Sequence, residues 1–150
     1  MFKTIILALD GSEPSSGPAR YATKLAKDFS GRVVVVHVKE LVAGRGAGPV
    51  FADETERLAH IREQVAEMAN AGVEVELVRT STMRNAAVGI AKTAKELSAD
   101  VIVTGASAHG PLMGAITGNA PQALLRLAPC PVLVASSLIR SDSRPERIAA

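Results

Sequence analysis

The chain has 150 residues and a net charge of +2, and 47% of its residues are hydrophobic and 3% aromatic. This length fits one domain that buries roughly 70% of its unfolded surface, and the scarcity of aromatic residues and like-charge runs disfavours a nucleic-acid binder. A single Cys excludes an internal disulfide. No apolar stretch has the about 20 residues that span a bilayer, and the N-terminal apolar run is too short for a signal peptide, so we expect a cytoplasmic protein with no membrane partner.

The first part of the chain predicts a strand, a helix and a second strand. An apolar run over 3–9 ends at the turn residues Asp10-Gly11-Ser12. A helical pattern follows and ends at Gly31. The β-branched segment 32–38 predicts a strand that is buried on both faces, and residues 39–50 predict a loop because of their glycines and proline.

The rest of the chain predicts three further helices and three further strands. The helices are a long one that ends at Gly72, one capped by Asn85 and one opened by Asn119. The strands are short and rich in Val, Ile and Leu, at 73–78, 100–104 and 131–135. The acidic alternation in the first of these strands favours a sheet edge with one face in water.

Alternation of strands with helices predicts parallel pairing through right-handed crossovers. The predicted fold class is α/β: a single open, doubly wound, parallel five-stranded sheet with helices on both faces. We expect this domain to occupy residues 1–136 and a polar C-terminal tail to occupy 137–150.

Ligands of such sheets bind at the carboxyl ends of the strands, where the strand order reverses. Ala8 and Asp10 lie at the end of the first predicted strand and His37 and Val38 at the end of the second, and a glycine-rich segment over 105–119 follows the fourth. That segment leads into a helix N-terminus, whose free N–H groups favour an anion such as phosphate. Neither GxxxxGK[ST] nor GxGxxG after the first strand is present, which disfavours a Walker-type NTPase and a dehydrogenase-type dinucleotide fold.

Several candidate residues have an alternative structural role. Asp10 either initiates a turn or contacts the ligand, and Asn119 either caps a helix together with Gln122 or contacts phosphate. His109 is either a solvated loop residue or a phosphate donor. His37 lies inside an apolar strand and is predicted to be a buried, hydrogen-bonded imidazole.

Neither a catalytic residue nor a metal site is predicted. Cys130 lies between two prolines without a charged neighbour, which favours a small buried hydrophobic residue over a nucleophile. His60 has charged neighbours on its helix and is predicted to be solvated. The three His residues are scattered, without the spacing of metal ligands.

Four segments together resemble the universal stress protein family. They are the first strand ending in Asp10-Gly11-Ser12, the Val-His-Val of the second strand, Ala99–Gly105, and Ala128-Pro129-Cys130-Pro131-Val132-Leu133-Val134. The resemblance covers about residues 1–136. It implies the strand order 3-2-1-4-5, an adenine-nucleotide (ATP) site and a dimer.

ATP-binding members of that family carry Gly, two residues, Gly, nine residues, Gly and then Ser or Thr. On this chain these four positions are Gly105, Ala108, Gly118 and Asn119, so the second and fourth depart from the pattern. Ala108 adds a methyl group where the family lets backbone approach phosphate closely, and Asn119 keeps a backbone N–H but is bulkier than Ser.

Three further positions follow from the resemblance. Asp10 matches the acidic residue near the adenosine, Val38 the residue whose backbone contacts adenine, and Ala120 the residue that follows the phosphate-binding Ser or Thr. Mg²⁺ would accompany ATP, with Asp10 able to hold it through water.

The last predicted strand is an apolar sheet edge without a charge: Val132, Leu133, Val134 and Ala135. Such an edge is prone to associate, and pairing with a second copy across a two-fold axis would satisfy its backbone. Members of the family commonly dimerise in this way, so we expect a homodimer through these residues.

The sequence leaves three functions open. The first is a regulatory stress protein that binds ATP or another adenine nucleotide with little or no turnover. The second is a dimeric interaction module that has lost nucleotide binding, because Ala108 and Asn119 depart from the motif. The third is a weak ATPase, for which the loop supplies neither a P-loop lysine nor an obvious catalytic base.

Overall fold

A computed structural model describes residues 1–11, 17–40, 54–82, 85–105 and 120–135. The strands in these ranges are β1 (Thr4–Ala8), β2 (Arg32–Glu40), β3 (Glu74–Thr82), β4 (Val101–Gly105) and β5 (Val132–Ala135). The helices are α1 (Gly17–Phe29), α2 (Glu54–Asn70), α3 (Ala86–Glu96) and α4 (Ala120–Leu127). The predicted C-terminal tail, 137–150, lies outside the described residues. Within them, no helix is both long and apolar enough to cross a membrane.

The five strands form one parallel sheet in the order β3-β2-β1-β4-β5. This confirms the predicted fold class and strand order. β1 lies in the centre, with Leu7 paired to Val35 of β2 on one side and to Val103 of β4 on the other. The central strands are Val- and Ile-rich because they bury side chains on both faces.

Two hydrophobic cores flank the sheet. Alternate residues of β1 and β2, such as Ile5 and Val33, pack with α1 and α2 on one face. The residues between them, such as Ile6 and Val34, pack with α3 and α4 on the other. The chain therefore leaves β1 towards one face and leaves β4 towards the opposite face.

β2 and β3 extend beyond the predicted strands. Lys39 and Glu40, predicted to lie in a loop, belong to β2, and β3 continues to Thr82. The two strands pair over nine positions, from Arg32 opposite Glu74 to Glu40 opposite Thr82. Backbone pairing holds these additional residues in the strands. The sequence did not predict them because their polar side chains form no hydrophobic pattern.

The predicted single wet face of β3 holds only for its first half. Val75 and Leu77 pack against the core beneath α1 and α2, with Glu74 and Glu76 exposed between them. From Val78 onward the less exposed residues lie on the opposite face, which α3 covers. The exposed face therefore changes sides along this edge strand.

The start of α3 and the end of α4 follow the predicted signals. Asn85 caps α3, because its Oδ1 accepts a hydrogen bond from the Ala87 N–H at 2.9 Å. α4 ends at Leu127, before Pro129. Asn119, predicted to open α4, lies outside the described residues.

Candidate functional site

The strand order reverses at β1, since β2 and β4 are its two neighbours. The helices that follow β1 and β4 cover opposite faces of the sheet, and this is the arrangement in which open α/β sheets bind ligands at the carboxyl ends of the two strands. Ala8 is the last residue of β1, Asp10 comes two residues after it, and Gly105 is the last residue of β4. The fold thus brings these three predicted site residues to one edge, where Asp10 is exposed.

Val38 lies near the carboxyl end of β2, which extends beyond the end of β1. The Leu9 N–H donates to the Val36 carbonyl at 3.2 Å, so the backbone groups of Val36 point towards β1. In a parallel strand every second residue points its N–H and C=O to the same side. The N–H and C=O of Val38 therefore point past the end of β1, while its side chain packs in the core beneath α3.

Gly11 joins this edge of the sheet to α2. Its φ is +73°, and a Cβ added there would lie 2.4 Å from the carbonyl oxygen of Arg57. Any larger residue would be strained by its backbone conformation and would clash with helix backbone. Glycine therefore allows the backbone at position 11 to lie directly against the first turn of α2.

His37 is buried and hydrogen-bonded, which confirms its prediction. Its side chain is 2% exposed, Nδ1 lies 3.2 Å from the Leu9 carbonyl oxygen, and Nε2 lies 2.8 Å from Oε2 of Glu54. The imidazole thus connects the end of β1 to the start of α2. Its partner could not be predicted, because Glu54 follows His37 by 17 residues across a predicted loop.

His60 corrects another prediction. It was expected to be solvated, but it is half-buried and its Nδ1 lies 3.0 Å from the Gly11 carbonyl oxygen. Because His60 lies nearly two turns into α2, it provides a second attachment of this helix to the β1 end. The Asp10-Gly11 pair predicts a tight turn with positive φ at this place, but no sequence signal indicates that His60 contacts the turn.

Of the remaining predicted site residues, the structure describes only Ala120. Ala108, Gly118 and Asn119 lie outside the described residues, as does His109. Ala120 is the first residue of α4. The candidate phosphate loop is therefore known here from its sequence and from its two ends, Gly105 and Ala120.

Cys130 does not have the surroundings of a nucleophile. Burial, and in second place the negative charge of Asp100, raise the pKa of its thiol, so the thiolate is disfavoured. Cys130 packs against the core beneath α3 and α4. Within the described ranges, no three His, Cys, Asp or Glu side chains are grouped closely enough to hold a metal ion.

A family model described as the universal stress protein family matches residues 1–136. The chain belongs to the universal stress protein family. This confirms the resemblance seen in the sequence, and the matched residues include the whole five-stranded sheet.

Relatives of this family member match nearly end to end. The universal stress protein in the QAH/OAS sulfhydrylase 3′ region of Thermus aquaticus is 36% identical over 136 residues, covering 89% of this chain and 98% of that protein. A crystal structure of a family protein from Burkholderia pseudomallei has a TM-score of 0.67 and 28% identity, covering 89% of this chain and 95% of that one. The universal stress protein from Archaeoglobus fulgidus in complex with dAMP has a TM-score of 0.64 and 23% identity, covering 90% and 99%.

Proposed function

We propose that this universal stress protein binds an adenine nucleotide, ATP, at the carboxyl ends of β1, β2 and β4, with little or no turnover. The observation that carries the proposal is the reversal of strand order at β1, with Val38 directing its backbone groups past the end of that strand. An N–H and a C=O on one residue can pair with the donor and acceptor edge of adenine. The dAMP complex of the Archaeoglobus fulgidus protein, which has the same fold, supports an adenine nucleotide as the ligand.

The other site residues have suitable roles on this edge. The exposed Asp10 carboxylate can accept hydrogen bonds from ribose hydroxyls or hold Mg²⁺ through water. The loop between Gly105 and Ala120 ends at the N-terminus of α4, where backbone N–H groups favour phosphate. Its sequence holds Ala108, Gly118 and Asn119, with no P-loop lysine to promote transfer of the terminal phosphoryl group.

The test is calorimetric titration of the wild-type protein and two variants with Mg-ATP. We expect D10A to weaken binding by about tenfold or more, since a hydrogen bond to a charged group contributes about 1.5–3 kcal/mol. The matched control is D28A, which removes an exposed carboxylate of α1 that pairs with Lys24 on the same helix, and it should bind as the wild type does. Equal affinities of the wild type, D10A and D28A for Mg-ATP would show that Asp10 does not contribute to nucleotide binding.

A second candidate function is an interaction module without a nucleotide site. The departures at Ala108 and Asn119 favour it, because they fall on two of the four phosphate-motif positions. The double variant A108G/N119S separates the two functions. If the wild type gives neither heat nor a thermal shift at millimolar Mg-ATP while the double variant binds, the interaction module is correct; binding by the wild type supports the nucleotide site.

We further propose that the protein acts in the cytoplasm as a homodimer. The second copy would pair along the edge formed by β5, which consists of Val132, Leu133, Val134 and Ala135. Association there would cover an edge that carries no charge.

A further inference from the structure

We propose that His37 and Glu54 form a proton-dependent latch between the end of β1 and the start of α2. The latch consists of three groups in a row: the Leu9 carbonyl oxygen, the His37 imidazole and the Glu54 carboxylate. The two ring nitrogens lie 3.2 Å and 2.8 Å from the two oxygens. His37 is 2% exposed and Glu54 is 19% exposed, so water is largely excluded from this row of groups.

The proton requirement follows from the types of group that meet there. A backbone carbonyl and an ionised carboxylate both accept hydrogen bonds and donate none. A neutral imidazole has one N–H and can satisfy only one of them, whereas an imidazolium has two and satisfies both. Both hydrogen bonds of the latch therefore form only when it holds one proton more than a neutral His beside an ionised Glu.

The contact between His60 and Gly11 provides an internal contrast. Among the residues that the structure describes, His60 contacts one carbonyl oxygen, that of Gly11, at 3.0 Å. A neutral imidazole with its proton on Nδ1 satisfies that contact completely. The two attachments of α2 to the β1 end therefore differ in their need for a proton, although both use histidine.

Charged groups of both signs lie on the segments next to His37. Those on the described elements that face it or adjoin its partners are Asp10 after β1, Lys39 on β2, Arg79 opposite His37 on β3, and Glu54, Arg57 and His60 on α2. The acidic groups favour the imidazolium and the cations oppose it. A comparison of the wild type with a variant changed only at Glu54 leaves the effects of all the other charged groups on the imidazole in place.

The latch couples protonation to the position of α2 over the residues that precede Asp10. While the latch holds its additional proton, both bonds form and hold the helix. When that proton leaves, one bond is lost, and with it part of the stability of the fold. This inference goes beyond nucleotide binding and is tested on the protein without nucleotide.

The decisive variant is Glu54→Gln. Its amide can donate to a neutral His37 or accept from a charged one, so both hydrogen bonds form at either pH. Between about pH 6 and about pH 8, we expect the Tm of the wild type to fall by about 2–4 °C more than that of E54Q, the shift expected from one hydrogen bond in a domain of this size. The control H60Q should keep the pH dependence of the wild type.

Nitrogen NMR of the wild-type imidazoles tests the same point without a variant. In acid both ring nitrogens of His37 should carry a proton, and in base one should not. One protonated nitrogen at both pH values, or equal pH dependence of the Tm in the wild type and E54Q, would overturn the proposal. If E54Q does not fold, the NMR result on the wild type decides.

Discussion

Single residues at the end of β1 determine how closely α2 approaches the candidate site. Gly11 lies against the backbone of Arg57, and its carbonyl accepts the hydrogen bond of His60. Leu9 provides the carbonyl that His37 contacts. The segment that carries Asp10 is therefore held by its backbone, so the position of the Asp10 carboxylate depends on neighbours that need not touch the ligand.

Replacing Gly11 by Ala tests this arrangement. The added Cβ would meet the Arg57 carbonyl at 2.4 Å, at a φ of +73°. We expect G11A to lower the free energy of unfolding by about 1–3 kcal/mol from strain alone, and by more if the helix cannot move. Urea unfolding followed by circular dichroism measures it.

Gly72 offers a matched control. Its φ is +83°, and a Cβ there would have no neighbour within 4 Å. G72A carries the same kind of backbone strain without the clash and should lower the free energy of unfolding by about 1–2 kcal/mol. Equal losses in the two variants would show that the contact between Gly11 and α2 contributes nothing.

At this scale the sequence predicted positions better than contacts. Asp10, Val38 and Gly105 were predicted from strand ends alone, because parallel strands deliver their carboxyl ends to one edge. The burial of His37 followed from its apolar neighbours. The contacts of His37 with Glu54 and of His60 with Gly11 join residues 17 and 49 positions apart, and no local pattern encodes such distances.

At the scale of elements, a carboxylate joins the amino ends of β1 and β4, at the end of the sheet opposite the candidate site. Oδ2 of Asp100, just before β4, accepts hydrogen bonds from the backbone N–H groups of Thr4 at 2.9 Å and Lys3 at 2.8 Å. The Asp100 N–H in turn donates to the Thr4 carbonyl at 2.9 Å. This residue therefore aligns the starts of β1 and β4.

The same contacts predict an acid-dependent stability. The hydrogen bonds from Thr4 and Lys3 lower the pKa of the Asp100 carboxyl in the folded chain. A group with a lowered folded pKa stabilises the fold above its unfolded pKa, about 3.9, and loses that contribution as the pH falls through the folded value. We expect D100N to be less stable than the wild type at pH 7 and to approach it in acid.

Thermal unfolding between about pH 7 and about pH 3 measures this difference, with D28N on the surface of α1 as the control. The control should follow the wild type across the whole range, because its carboxylate is paired only on the helix surface. A constant difference between D100N and the wild type at every pH would contradict the assigned role.

The elements themselves were largely predictable, for a physical reason. Strands buried on both faces need continuous apolar runs, so β1, β2 and β4 are visible in the sequence. The sequence did not predict the last residues of β2 and β3. Lys39, Glu40 and the polar residues up to Thr82 are held by backbone pairing, and the periodicity of side chains does not reveal such pairing.

At the scale of the whole molecule, the two edges of the sheet differ in charge. β3 exposes Glu74 and Glu76, which discourage pairing with another strand. β5 has no charged residue, and Val134 is 41% exposed. Close to it in the chain, α4 exposes Leu125 and Leu127, at 62% and 50%. An uncharged apolar edge fits burial against a second copy.

A charge placed on that edge should therefore separate the subunits. We expect the wild type to sediment as a dimer and V134R to weaken association by about tenfold or more, because a guanidinium would be buried against apolar residues. Val134 is exposed in the protomer, so the variant should keep its fold. The control S81R places the same side chain at an exposed position on the opposite edge, on β3, and should remain dimeric. A dimeric V134R, or a monomeric wild type, would mean that β5 is not the contact between subunits, whereas dissociation of V134R alone would assign the interface to this edge.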